Sequence, residues 1–368
     1  MSVTAPWDPR AAVAVGAPLR RVYRVQARHP AYSTPIDLDV DTDADPHLTH
    51  DEGWAPYVSA DVTVRVPEQA TLDLLDPRVG ARLLVSAGYV YPGGTEDVHT
   101  VADLVLSERT TLRPENRVRL TGLSDEYLVQ GAAPVTADLT YNAGSAMRNV
   151  IAAIIHVAIP AATIVTDPAV PATSLGQTLT IERGAEGALW SAVADLADRL
   201  GAKVYHDGLG TWRIMPAPVL ASVSVAQLRT GPTGAITASE AALTRDGFAN
   251  AVVIKYADGF AWAEATTGPL GTINAPRKVA CIDRSTLPKS GGAKAARSIL
   301  ARTLSRGRSL SVTALDALWV TPFRTVTVQL PTGPQERHLI ARTQRNLETG
   351  LMTVTTRLPD NATITSGE

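Results

Sequence analysis

The segment from Glu186 to Met215 constrains the fold most, because it writes a helix and a hairpin back to back. Leu189, Val193, Leu196 and Leu200 recur at i, i+4, i+7 and i+11, which places them on one face of a helix. Gly201 follows at the position where a left-handed residue ends a helix. Lys203 to His206 and Thr211 to Met215 then read as two strands joined through Asp207-Gly208. A helix with one apolar face needs a second layer to cover it, so the chain must hold a mixed α/β unit here. The segment is a packing unit with no chemistry in it.

Both flanks carry a different pattern. Arg21 to Ala27 and Ser59 to Val66 alternate between apolar and polar residues, as half-buried strands do. Further strands are expected at 82–89, 100–106 and 117–122, with a turn at Tyr91-Pro92-Gly93-Gly94. Later ones are expected at 251–256, 260–265, 308–313, 325–330, 337–342 and 351–356. Aromatic residues make up only 5 % of the 368, so Val, Ala, Thr and Leu must build the cores. The expected fold is α+β and β-rich: two small β-barrel or sandwich domains with interleaved α/β segments. The expected organisation is an N-terminal arm at 1–17, a first β-barrel domain at 18–130, an α/β domain at 131–220 and a second β-barrel domain at 221–368. The last carries an inserted helix at about 293–305. The Pro- and Ala-rich arm is expected to order only against a neighbour.

Several features bear on surroundings. Val150 to Val165 reads as a buried helix ending near Ile159 and then a strand, too short and too interrupted for stable membrane insertion. Met1 to Arg10 lacks a basic start followed by an apolar core. The net charge of -2 supplies no field for sequence-specific nucleic-acid binding. Cys281 is the single cysteine, so no disulfide forms within one chain; it is expected to be a buried apolar residue, and the chain fits assembly in a reducing cytoplasm. Lys294, Arg297, Arg302 and Arg306 are expected to form the solvated face of the inserted helix, with a docking surface for an acidic partner as the alternative.

Chemistry finds little support. The acids Asp37, Asp39, Asp41, Asp43 and Asp45 alternate along an extended segment, and a charged strand edge is expected there. A calcium loop counted from Asp41 would place Pro46 where a sharp turn needs Gly. His47-Leu48-Thr49-His50-Asp51-Glu52 has metal-ligand residue types, yet the His-x-x-His spacing alone does not make a zinc site. No Gly-x-Ser-x-Gly elbow is present. Gly208-Leu209-Gly210 sits in the hairpin, and Gly291-Gly292-Ala293-Lys294 lacks phosphate-loop spacing. Trp190, Trp212, Trp262 and Trp319 lie on regular elements and are expected in the core. No residue is assigned as catalytic, cofactor-binding or metal-binding, and no cofactor is expected.

Leu189-Trp190 through Ile214-Met215, together with Ala249 to Ile254, resemble phrases of the tail hub proteins of tailed phages. The late helix followed by Leu315-Asp316-Ala317-Leu318-Trp319-Val320-Thr321-Pro322 adds to the likeness. That family includes baseplate hubs, tail-tip hubs and the base of contractile secretion spikes. A departure is Pro322-Phe323-Arg324, where the family often has Pro-Gly-Asp. The resemblance covers about 20–358. It implies a structural, non-enzymatic part of the virion tail: a homotrimer whose two similar β-domains per chain meet a hexameric tail tube. It implies as partners a distal tail protein or tube ring, the tape measure protein, and tip fibre or spike proteins. The alternatives are a tail-associated cell-wall or capsule hydrolase and a receptor- or sugar-binding tail module.

Overall fold

The computed structural model describes residues 7–8, 10–11, 20–32, 34–231, 234–243, 247–332, 334–358 and 362–368. Strands β1 (Arg20–Arg28), β2 (Ile36–Asp37), β3 (His47–Asp51), β4 (Val58–Arg65), β5 (Arg82–Val90), β6 (Glu96–Leu112) and β7 (Arg117–Leu123) come first, with short helices α1 (Gln69–Leu74) and α2 (Glu126–Gln130). The middle holds β8 (Leu139–Tyr141), α3 (Met147–Ala158), β9 (Thr163–Thr166), β10 (Leu179–Ile181), α4 (Ala188–Leu200), β11 (Ala202–His206) and β12 (Thr211–Pro216). Next, β13 (Ala226–Arg229) and β14 (Ile236–Leu243) precede an inserted unit of β15 (Ala251–Tyr256), β16 (Gly259–Ala265), β17 (Val279–Arg284) and α5 (Gly292–Leu304). The chain closes with β18 (Arg308–Leu315), β19 (Thr325–Gln329), β20 (Glu336–Asn346), β21 (Leu351–Arg357) and β22 (Ile364–Gly367).

The fold is β-rich α+β, as expected, but among the described residues no sheet closes into a barrel. The reason is one strand pairing. One edge of β3 pairs β4 of its own half, and the other pairs β20 of the second half. Both β-halves thereby join one open 13-stranded sheet, ordered β14-β18-β21-β20-β3-β4-β7-β6-β5-β1-β2, with β19 and β13 branching from β20.

Within that sheet the halves repeat. The first half orders its strands β3-β4-β7-β6-β5-β1, and the second orders them β14-β18-β21-β20-β19-β13. Matching strands occur in the same chain order. Each half also carries a bulge in its long hairpin, between Leu106 and Glu108 in one and between Ile340 and Arg342 in the other. The repeat departs at its end, where β1 runs antiparallel to β5 but β13 runs parallel to β19.

Three cores fill the molecule. Leu48, Val62, Leu83, Leu104 and Leu120 centre the first β-half, and Val312, Val326, Ile340 and Val354 the second. The third core packs α3, α4 and α5 against β12 and β15, through Ile151, Ile154, Val193, Leu196, Trp212, Ile254 and Ile299. Within residues 251–304, read from sequence with the second β-domain, Val252, Ile254, Ala263, Ile299 and Leu300 pack into this α/β core. The expected helix ending near Ile159 forms as Met147–Ala158, and the one at about 293–305 as Gly292–Leu304. No helix among the described residues is long and apolar enough to cross a membrane.

The arm differs from expectation where it is described. Trp7 and Ala11 are buried in the second β-half's core, and Trp7 packs edge-on against Tyr89 at 5.9 Å. Burying the indole against apolar sheet residues is favourable in itself. Residues 1–6, 9 and 12–17 lie outside the described residues.

Helix α4 buries Leu189, Val193, Leu196 and Leu200, the predicted stripe. Gly201 ends it with φ 63°. In the hairpin, the Asp207 carboxylate accepts from the N–H groups of Leu209 (2.9 Å) and Thr211 (3.1 Å). That arrangement closes the turn, and Gly208 and Gly210 supply its positive φ. The turn seats the α/β unit on the first β-half, since Asp103 N donates to Gly208 O at 2.5 Å.

Candidate functional site

The site with the clearest structural logic is the junction between the two β-halves. Five residue pairs, Arg342↔Asp51 through Asn346↔His47, join β20 to β3. Glu52 N donates to Ala341 O at 2.9 Å and lengthens the seam. Beneath it, Arg345 Nε donates to Asp316 Oδ1 at 3.0 Å, and both side chains are almost fully buried. The other oxygen of Asp316 accepts from Tyr23 of the first half at 2.9 Å. Tyr89 accepts from Leu318 N at 2.9 Å. At the far end Arg357 holds Glu52 through two hydrogen bonds, the second at 3.2 Å.

His50 sits inside this seam. Burial, reinforced by the Arg345 charge, pulls its imidazole down to about 3. Arg345 Nη1 donates to Nδ1 at 3.4 Å. A ring held neutral and used as an acceptor is built for packing, not for proton transfer at neutral pH.

The repeat carries this junction to a second place. Setting Leu106 beside Ile340 aligns Gly122 with Thr356, Ala60 with Leu310, and Leu48 with Ala241. The same alignment sets Leu104 with His338 and Leu83 with Val326. The equivalent of β3 is therefore the end of β14, and the equivalent of Arg342–Asn346 is Glu108–Leu112 of β6. In the first place the two strands meet. In the second, neither meets a further strand among the described residues: β14 pairs β18 alone, and β5 stops pairing β6 at Val105, beyond which the turn Pro77–Val79 packs against β6 and Arg109 donates to Leu72 O.

Burial follows the pairing. Leu48, Thr49 and His50 are buried between β4 and β20, whereas β14 is exposed along most of its length and Leu243 is 85 % exposed. Arg345 is buried, and its equivalent Thr111 is exposed. An eight-residue edge with one charge, Glu240, and no proline lacks the usual protection against pairing. Chemically, this surface can do one thing well: accept another strand.

The residues weighed for chemistry disperse. Asp39 faces Arg65 at 3.5 Å, Asp41 pairs with Arg117 at 2.6 Å and caps a 3-10 turn, and Asp45 accepts from Asn346. His47 and His50 are three apart on a strand, so they point to opposite faces. His47 lies 3.6 Å from Asp61, while His50 is in the seam. Asp51 caps Gly53 N at 2.8 Å. Among the described residues no three His, Cys, Asp or Glu side chains converge.

Three expectations fail. Cys281 is exposed, and Trp262 is 42 % exposed beside Phe260 on the outer face of the β17-β15-β16-β22 sheet. Alternation predicts two faces for a strand but not which one meets solvent. Lys294 and Arg297 of α5 do face solvent, but Arg302 turns inward to Asp198 at 3.5 Å. It joins a buried network that periodicity did not reveal. Asp195 accepts from Tyr256 (2.9 Å), Arg199 and Arg284, and Asp198 accepts from Arg284 at 2.7 Å. This network ties α4 to the inserted unit.

No family model matches the sequence, and no curated protein matches it. Solved structures do. The fold is similar to that of a tail protein from Neisseria meningitidis MC58, with TM-score 0.63 and 18 % identity, covering 92 % of this chain and 97 % of that one. A 43 kDa tail protein of prophage MuSo2 from Shewanella oneidensis matches with TM-score 0.61 and 15 % identity, over 91 % and 98 %. A prophage tail protein from Listeria monocytogenes EGD-e matches with TM-score 0.53 and 10 % identity, over 92 % and 95 %. At such identities the likeness is one of fold.

Proposed function

We propose that the chain is a structural hub of a phage tail, three copies of which close into a ring that presents six equivalent β-halves. The observation that carries this reading is the registered repeat with one junction made and one left open. Each copy offers β14 at one edge and Glu108–Leu112 at the other. Joining them between copies, as β3 and β20 join within one, extends the same sheet from chain to chain. A head-to-tail contact of this kind closes into a ring when its rotation divides the circle. Three chains then place six similar modules against a sixfold tube.

The end-to-end fold likeness to tail proteins supports a place in the virion tail. In that setting the neighbours are a distal tail protein or tube ring above, and the tape measure protein and tip fibre or spike proteins at the other face. Catalysis has no part in this role. The His47 to Glu52 cluster is consumed by structural pairs in the seam.

A disulfide trap tests the junction. By the repeat, Thr111 of one copy lies opposite Ala241 of the next, at strand-pair distance for a bridge. Thr111→Cys with Ala241→Cys, in a Cys281→Ser background, should give covalent species that stop at three chains on a non-reducing gel. Either single variant should stay uncrosslinked. A ladder running past three chains, or no bridge in the double variant, contradicts the proposal.

A further inference from the structure

A cleft of about 290 Å³ opens between α4, β11 and the turn from Glu52 to Tyr57, at the small end of ligand pockets. One wall is aromatic: Trp54, Trp190, Tyr205 and Phe323 line it, and Trp54 is 75 % exposed at the mouth. The other wall is charged, and its charges are unevenly satisfied. Arg284 and Asp198 hold each other at 2.7 Å, and Glu52 is held by Arg357. Lys203 differs. Its ammonium makes no hydrogen bond and no ion pair among the described residues. The acids nearest to it, Asp198 and Glu52, are already engaged by arginines.

Lys203 keeps some solvent contact along the cleft, yet its charge is poorly tolerated. Burial first, then repulsion from Arg302, pulls the ammonium down to about 7 against the weaker attraction of Asp198 and Glu52. A cation in such a place calls for an anion. A single carboxylate matches the one unpaired ammonium, and Arg302 has donors left to share it, since among the described residues its only ion pair is the 3.5 Å contact to Asp198. The aromatic wall calls for apolar groups beside that charge.

We propose that this cleft receives a carboxylate borne on an apolar peptide segment of another protein, an Asp or Glu side chain flanked by aliphatic residues, with the carboxylate on Lys203 and the flanks on Trp54 and Trp190. The cleft lies within one chain, so the inference stands whether or not copies close into a ring.

Intrinsic tryptophan fluorescence of the full chain provides the assay, because two indoles line the cleft. The probes are the peptide acetyl-Gly-Leu-Glu-Leu-Gly-amide, its Gln counterpart and sodium acetate. The Glu peptide should give a saturable change, the Gln peptide should bind at least about tenfold more weakly, and acetate should give no saturation over the same range. Lys203→Met should weaken the Glu peptide by a similar factor, while Lys203→Arg should retain it. Melting curves check that each variant is folded. Trp54→Ala, at an exposed position, should weaken binding without touching a buried group. Equal binding of the Glu and Gln peptides, or undiminished binding by folded Lys203→Met and Trp54→Ala, overturns the proposal. Acetate binding as tightly as the Glu peptide overturns its peptide part.

Discussion

Asp316→Leu is the sharpest perturbation of the seam between the β-halves. Asp316 is fully buried and accepts from Arg345 and from Tyr23, so the change strips a counter-ion from a guanidinium that is only 2 % exposed. Removing one partner of a buried pair costs about 3–5 kcal/mol. The Tyr23 hydroxyl loses its acceptor as well, which adds about 1 kcal/mol. Arg345 keeps bonds to the carbonyls of Val320 and Leu318, so the lower part of that range applies, about 4 kcal/mol in all. The companion variant Asp316→Leu/Arg345→Met removes both charges and should recover about 2–3 kcal/mol of the loss, because an apolar replacement of a buried pair is often neutral. Adding Tyr23→Phe should recover most of the remainder. Urea unfolding followed by circular dichroism and by tryptophan fluorescence measures all three. One cooperative transition should shift, since the residues belong to both halves. A single-variant loss below about 1 kcal/mol, or a double variant no better than the single, would refute the reasoning.

Leu196→Asp should unfold the α/β core, because it sets an unpaired charge at a site 2 % exposed; several kcal/mol are expected, and an unchanged melting temperature would show the α4 face to be misread. Glu126 predicts a pH dependence. Burial raises its carboxyl from an ordinary 4.5 to about 7, so the folded chain holds a proton that the unfolded chain has released. Stability from this group is full below about pH 4.5 and is lost as pH rises through about 7, by up to about 3 kcal/mol. Glu126→Gln should therefore gain on wild type between about pH 5 and about pH 8 in denaturant titrations; a constant difference across that range would contradict the assignment.

What the sequence made legible was local. The α4 stripe, the Gly201 cap and the Asp207 turn are set by neighbours a few residues apart, and all three form. The repeat was invisible at that range, because equivalent positions share register and not residue type. Leu48 answers to Ala241, and Arg345 to Thr111, since one member of each pair is covered by a strand and the other is bare. The seam was equally hidden: Arg345 and His50 are 295 residues apart, and Arg284 meets Asp195 across 89. A charged residue on an amphipathic helix reads as solvated until a distant partner is in place, which is why Asp195 and Asp198 went unseen. The open sheet has the same origin, as the second edge of β3 takes its partner from the other half of the chain.

The symmetry of the purified assembly under the electron microscope measures the ring claim most directly. Three copies of a 38.9 kDa chain should appear as a closed ring with threefold symmetry and six near-equivalent lobes around its wall. Particles of one or two chains, or a ring in which β14 stays uncovered, would contradict it.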